Sequence, residues 1–341
     1  MSSAAVRCYT FGMRRFFCVF ALLLCACTSA TPSAPPLLDT AIPATTPTET
    51  ASPAPPPTVT PLPPYGRTAV RPDPPPTATM RPPPPKVLIT SIDGLRPDAL
   101  LKARAPNIMA LAHRGAYTWN AQTIYPSVTL PAHASMLTGY PPEAHGILWS
   151  DNAPGHAPIK VPTIFSAAHA AGLRTVMVVG KQKLEQLDVP GTVDSYVFAR
   201  FGDPGVADAA IEEIGKGFDL MFVHLPNTDY FGHTDGWMSP TYIAELTPTD
   251  AAVGRILAAL PPDTIVILTA DHGGYDKVHG ARIPVNMAIP WIIAGPGVAA
   301  DHEIAAPVDT MDTAATVAHV LGLTLAPDAA GVPVLEALGR P

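Results

Sequence analysis

Five short apolar runs dominate the chain from Lys86 onward: Val87 to Ile92, Leu173 to Val179, Phe218 to Leu225, Thr264 to Ala270 and Ile289 to Ala294. None alternates strictly between apolar and polar residues. Each therefore reads as a strand buried on both faces, the pattern of a parallel sheet. Helix-like stretches intervene or follow, at Pro97 to Arg114, Pro162 to Ala171, Pro204 to Ile214, Thr241 to Ala259 and Asp309 to Leu321. Strand and helix signals in alternation predict an α/β sandwich around a central sheet. In such sheets functional residues collect at the carboxyl ends of the strands.

The first quarter of the chain cannot join that core. Twenty of the 43 prolines lie between residues 31 and 85, mixed with Thr, Ala and Ser. Proline lacks an amide donor and resists helix and sheet interiors. Such a stretch buries too little apolar surface to offset the entropy of ordering. The expectation is a disordered Pro/Thr-rich linker over 28–85 and one folded domain over 86–341.

Residues 1–27 read as an export signal. Arg14 and Arg15 precede the apolar run Phe16 to Leu24, and small residues follow. The run is short for a membrane span. Leu24-Cys25-Ala26-Cys27 resembles a bacterial lipobox. That resemblance implies a lipid-anchored protein on the outer face of a bacterial membrane, with Cys27 as the mature N-terminus. The alternative is plain signal cleavage and free secretion. Met13 offers a second start site.

The formal net charge is −7 and no long Lys/Arg run occurs, so a nucleic-acid-coating role has no electrostatic support. All four cysteines precede residue 28. The folded part can hold neither a disulfide nor a thiolate ligand, and any metal there must be held by His, Asp or Glu.

The polar residues at the strand ends are of that kind. Asp93 follows the first run, Asp229-Tyr-Phe-Gly-His233 follows the third, and Asp271-His272-Gly-Gly follows the fourth, with His279 just beyond. Singly, such residues are more often caps or turn formers. Together they place three carboxylates and three imidazoles at one edge of one sheet. Oxygen and nitrogen donors without sulfur suit zinc, with manganese or iron as alternatives. A further segment, Tyr125-Pro-Ser-Val-Thr129-Leu-Pro-Ala-His133, sets Thr129 before a predicted helix whose first turn accommodates Pro131. A helix start favours an anion. A hydroxyl there is a candidate nucleophile if a metal lowers its pKa, or else a helix cap.

The ordered set Ile92-Asp93-Gly94, Pro126-Ser-Val-Thr129-Leu-Pro-Ala-His133, Glu143-Ala-His145, Asp229 to His233, Asp271-His272-Gly and His279-Gly resembles the alkaline phosphatase superfamily. Its type I phosphodiesterase/nucleotide pyrophosphatase branch is the nearest in pattern, and the resemblance runs over residues 86–325. It implies a three-layer α/β/α sandwich with a central, mostly parallel sheet. It also implies two zinc ions, one held by Asp93, Asp271 and His272 beside Thr129, the other by Asp229, His233 and His279. Thr129 would attack phosphorus, and water would then hydrolyse the phospho-threonine. Counting formal charges, two Zn²⁺ ions against three aspartates leave an excess of about +1, which favours a phosphate anion.

One position departs from the pattern. These phosphodiesterases usually place an Asn 21 residues after the nucleophile to bind a phosphate oxygen. Here that count reaches Ser150, and Asn152 lies two residues on. Either residue could serve, with a small preference for Asn152. His133 and His145 read as structural. Val128 and Leu130 flank Thr129 where monoesterases commonly carry an Arg, which favours diesters over monoesters. Phosphonate hydrolysis and a non-enzymatic surface module are the remaining alternatives. The expected ligand is a small phosphate ester, and no partner protein is evident.

Overall fold

The apolar runs form strands because each can bury both faces between layers of helices. The computed structural model describes residues 85–339; the leader, the lipobox-like Cys27 and the Pro/Thr-rich segment up to residue 84 lie outside the described residues. In chain order the elements are β1 (Lys86–Ile92), α1 (Pro97–Leu100), α2 (Pro106–His113), β2 (Ala116–Gln122), α3 (Thr129–Thr138), α4 (Pro142–His145), α5 (Ile164–Ala170) and β3 (Thr175–Val179). A 3₁₀ turn (Gln182–Leu187) leads to β4 (Ser195–Phe198), α6 (Gly202–Lys216), β5 (Leu220–Leu225), α7 (Asn227–Asp235) and α8 (Pro240–Ala259). Then come β6 (Thr264–Thr269), α9 (Pro284–Met287), β7 (Ala288–Ala294), β8 (His302–Glu303) and α10 (Asp312–Leu321).

The eight strands form one sheet in the order β4-β3-β5-β1-β6-β7-β2-β8. Only β7 runs against its neighbours; the other pairs are parallel. The architecture is the mostly parallel α/β/α sandwich expected of the superfamily. Val87, Leu88, Ile89 and Ile92 of β1 are wholly buried. Burial of such a side chain contributes about 1.5–3 kcal/mol relative to exposure.

Two expectations need correction. The stretch Pro97 to Arg114 is not one helix but two, α1 and α2, with Pro106 opening the second. Proline resists the helix interior and suits the first turn, so it restarts the helix rather than continuing it. Strand β2 was also unforeseen. Its burial alternates and it carries a register shift between Thr118 and Ala121, so no continuous apolar run marks it.

Candidate metal centre

The carboxyl ends of β3, β5, β1 and β6, neighbours in the sheet, carry the polar cluster. Asp93 leaves β1 with its amide bonded to Leu225 O at 2.9 Å, which fixes it beside the end of β5. Gly94 then turns the chain at φ +69°, and a Cβ there would stand 3.1 Å from Asp229 Cα. That close approach and the left-handed backbone together require glycine. The Gly94 amide donates to Asp271 Oδ1 at 3.0 Å, so one turn links the three acids.

Asp93, Asp271 and His272 form one group, and Asp229, His233 and His279 another. Within each group the candidate donor atoms lie within 4.8 Å of one another. All are buried except His279, partly exposed, and His233, more exposed.

The donor set fits divalent cations on two independent observations. First, Asp93 Oδ1, Asp229 Oδ1 and Asp271 Oδ2 are buried without a hydrogen-bond partner, one oxygen from each aspartate. An orphaned buried carboxylate oxygen is costly unless something positive meets it. Second, all three imidazoles direct Nδ1 at a backbone carbonyl: His272 at Gly273 O (2.8 Å), His233 at Lys277 O (3.0 Å) and His279 at Ser127 O (2.9 Å). A proton assigned to Nδ1 is donated there and leaves the Nε2 lone pair free. His272 Nε2 then faces Asp271 Oδ2 at 3.3 Å and Asp93 Oδ1 at 3.5 Å. His233 and His279 Nε2 face Asp229 Oδ1 at 3.5 and 3.7 Å.

Electrostatics within the cluster are divided. Burial pushes the Asp93 carboxyl up, but Lys181 and His224 outweigh it and hold the group well below the usual range. Burial, reinforced by the Asp93 charge, lifts the Asp271 carboxyl well above it. Burial also lowers His272 and His279, keeping both imidazoles neutral at pH 7.

Thr129 is the first residue of α3, not its cap. Val128 occupies the cap position and supplies no side-chain bond. The Thr129 hydroxyl is buried and lies 3.5 Å from His272 Nε2. His133 holds this start in place, donating from Nδ1 to Thr129 O at 2.7 Å and accepting from Ser91 Oγ at Nε2, 2.9 Å away. His145 meets Ser135 Oγ at 3.0 Å and accepts from the Ile147 amide. Both histidines therefore do structural work, as their sequence context suggested.

The structure brings Ser150, not Asn152, to the start of α3. Ser150 Oγ accepts from the Leu130 amide at 3.1 Å and from Lys183 Nζ at 3.1 Å. Asn152 is exposed. Residues 151–155 are all exposed, and the Trp149 ring stacks on His156.

Two residues at the centre had no role in the sequence reading. His224 donates from Nε2 to Asp93 Oδ2 at 2.8 Å. Its one signal was a lone polar ring within a buried apolar run. Lys181 meets Asp93 Oδ2 at 2.7 Å and Asp229 Oδ2 at 2.5 Å. A separate cavity of about 650 Å³ lies at the opposite sheet edge, beside Thr264 at the start of β6 and Ala294 at the end of β7, and contains none of these residues.

Comparison with known proteins places this arrangement. The family model for type I phosphodiesterase / nucleotide pyrophosphatase matches residues 87–151, and that for the metalloenzyme superfamily matches residues 174–325. The chain is 27% identical over 286 residues to the human GPI ethanolamine phosphate transferase 2 catalytic subunit, covering 75% of this chain and 28% of that protein. It is 39% identical over 223 residues to a pyrophosphatase/phosphodiesterase of Schizosaccharomyces pombe, covering 55% and 44% respectively. The chain thus spans less than half the length of these curated relatives. Human ectonucleotide pyrophosphatase/phosphodiesterase 5 shares the fold with a TM-score of 0.64 at 16% identity, over 75% of this chain and all of that one. The first model covers the Thr129 segment and the second covers both later acid–histidine motifs. Together these matches support the alkaline phosphatase superfamily for this chain, on the side of its type I phosphodiesterase/nucleotide pyrophosphatase branch.

Proposed function

We propose that this chain is a two-zinc hydrolase of phosphate esters, of the phosphodiesterase or nucleotide pyrophosphatase type, with Thr129 as nucleophile. One observation carries the reading: three orphaned carboxylate oxygens and three free imidazole nitrogens converge beside a buried threonine hydroxyl. Asp93, Asp271 and His272 would hold one ion, and Asp229, His233 and His279 the other. Such ions, when bound, supply positive charge that favours an alkoxide nearby and offsets charge on the attacking and leaving oxygens.

The chain's own residues do the remaining work. His133 fixes the backbone of Thr129, so its hydroxyl keeps one direction of attack. Thr129 Oγ bonds to phosphorus while the ester oxygen departs, and water later cleaves the phospho-threonine. The Leu130 amide and Lys183 Nζ converge on Ser150 Oγ, which supports a phosphate oxygen being held beside it. The export leader and Cys27 support an enzyme acting outside the membrane on a lipid tether.

Lys183 favours a second reading, a phosphomonoesterase. Its bonds go to the Ser150 hydroxyl and carbonyl, both neutral, so its charge stays available to a dianion near the helix start. Parallel assays of bis-p-nitrophenyl phosphate and p-nitrophenyl phosphate, with wild type and Thr129→Ala, test both. Diester turnover that needs Thr129 and zinc supports the first reading. A strong monoester preference selects the second, and zinc-saturated protein with neither activity rejects both.

A further inference from the structure

We infer that Lys181 is a positioning residue for the metal centre: its ammonium ties Asp93 to Asp229, fixing the two donor groups in one relative orientation while leaving their cation-facing oxygens free. The inference rests on the proposed two-ion site.

Asp93 belongs to one group and Asp229 to the other. Lys181 reaches both, at 2.7 and 2.5 Å, closer than the 3.5 and 3.9 Å at which His272 Nε2 faces the same two acids. It uses Oδ2 of each carboxylate. The orphaned oxygens are the Oδ1 atoms, and the imidazole Nε2 atoms face that side. The ammonium therefore sits behind the carboxylates and does not occupy the space the imidazoles line. His224 shares Asp93 Oδ2 with it, at 2.8 Å, so that oxygen is committed to the protein from two directions.

The backbone is built for this reach. Strand β3 lies beside β5, with Val179 opposite His224. Gly180 continues from it, donating to His224 O at 3.1 Å. A Cβ on Gly180 would come 2.5 Å from Pro226 Cδ, a clash that any other residue would suffer. Glycine thus lets the chain pass close over the end of β5, and the next residue extends between the two acids. The Lys181 side chain is only 21% exposed.

Two effects of opposite sign act on bound cations. The ammonium repels them, so charge alone predicts tighter binding when it is removed. It also orients both carboxylates, Asp93 together with His224 and Asp229 through its Oδ2. Loss of a residue that orients metal-binding side chains typically costs about 10–100-fold in affinity. The bridge between both groups makes orientation the dominant effect at both ions.

The test uses the full chain and zinc alone, with affinity read by competition against a chromogenic chelator. Lys181→Met keeps length and loses charge. Its expected zinc affinity is about 10–100-fold weaker at both ions. Lys181→Arg, whose planar fork can span two carboxylates, is expected to stay within a few-fold of wild type. If the Met variant does not fold, Lys181→Gln carries the same expectation, because its shorter, uncharged amide does not reach both carboxylates. Affinity equal to or tighter than wild type in the Met or Gln variant overturns the inference, as does a loss confined to one ion. Wild type that takes up no zinc removes the metal-centre reading and this inference with it, whereas the variant results bear on Lys181 alone.

Discussion

His272 and His279 stack ring on ring, with centroids 3.8 Å apart and planes 13° from parallel. One belongs to the group of Asp93, the other to the group of Asp229. The two groups therefore share a wall as well as the Lys181 bridge, and neither is sterically independent of the other. The expected result of His279→Ala is loss of one zinc per chain and weaker retention of the second. The loss in kcat/KM should be at least about 100-fold. Zinc per chain, counted by mass spectrometry after gel filtration, checks this; two ions retained would sink His279 as a metal-holding residue.

Thr129 is buried at the start of a helix whose ten residues are all buried, and its hydroxyl lies 3.5 Å from His272 Nε2. Thr129→Ala should lower turnover by at least about 10³-fold while leaving zinc content unchanged. Thr129→Ser, which keeps the hydroxyl, should retain measurable turnover. Initial rates on a nitrophenyl ester decide it, and an Ala variant within tenfold of wild type contradicts the nucleophile.

Ser150 and Asn152 make different demands on the same assay. Of the two, Ser150 touches α3, through the Leu130 amide, and receives Lys183. Ser150→Ala should lower kcat/KM by about 10-fold, the scale of one lost hydrogen bond to a charged group. Asn152→Ala should change it less. The reverse order would restore the asparagine as the phosphate contact.

Asp203 offers a pH test at a carboxyl outside the six candidate metal-ligating side chains. It is wholly buried at the start of α6, accepts from Thr249 Oγ1 at 2.6 Å, and receives the Asn227 amide at 3.0 Å. Burial raises its carboxyl to about 7, against 3.8 for the free group. The folded state thus holds a proton that the unfolded state has released between those values. This contribution to stability is complete below about pH 4, declines as pH rises, and is gone above about pH 7. The slope in that window is about 1.4 kcal/mol per pH unit. Asp203→Asn should flatten the decline, as read by urea unfolding from pH 5 to pH 8. An unchanged pH dependence would falsify the assignment.

Much of the fold was legible in the sequence because its signals are local. Strands β1, β3, β5, β6 and β7 are continuous apolar runs, and burial on both faces leaves that mark whatever their neighbours are. Strand β2, next to the two-residue β8 at the sheet margin, includes Asn120 and alternates in burial, so it left no such mark. The reversed direction of β7 was equally invisible, since direction is a property of pairing and not of composition.

The same division holds at the site. Asp93, Asp229, His233, Asp271, His272 and His279 stood out because acids and imidazoles gathered after apolar runs, within recognisable motifs. The sequence by itself determined those side chains and the strand ends that carry them. Only the tertiary structure decided that Lys181 joins two acids, that His224 supports one of them, and that Ser150 rather than Asn152 meets the helix start. The reason is physical. Strand pairing and loop direction bring together residues far apart in the chain, such as Asp93 and His224, and no local pattern encodes a contact whose partners meet only when the sheet forms.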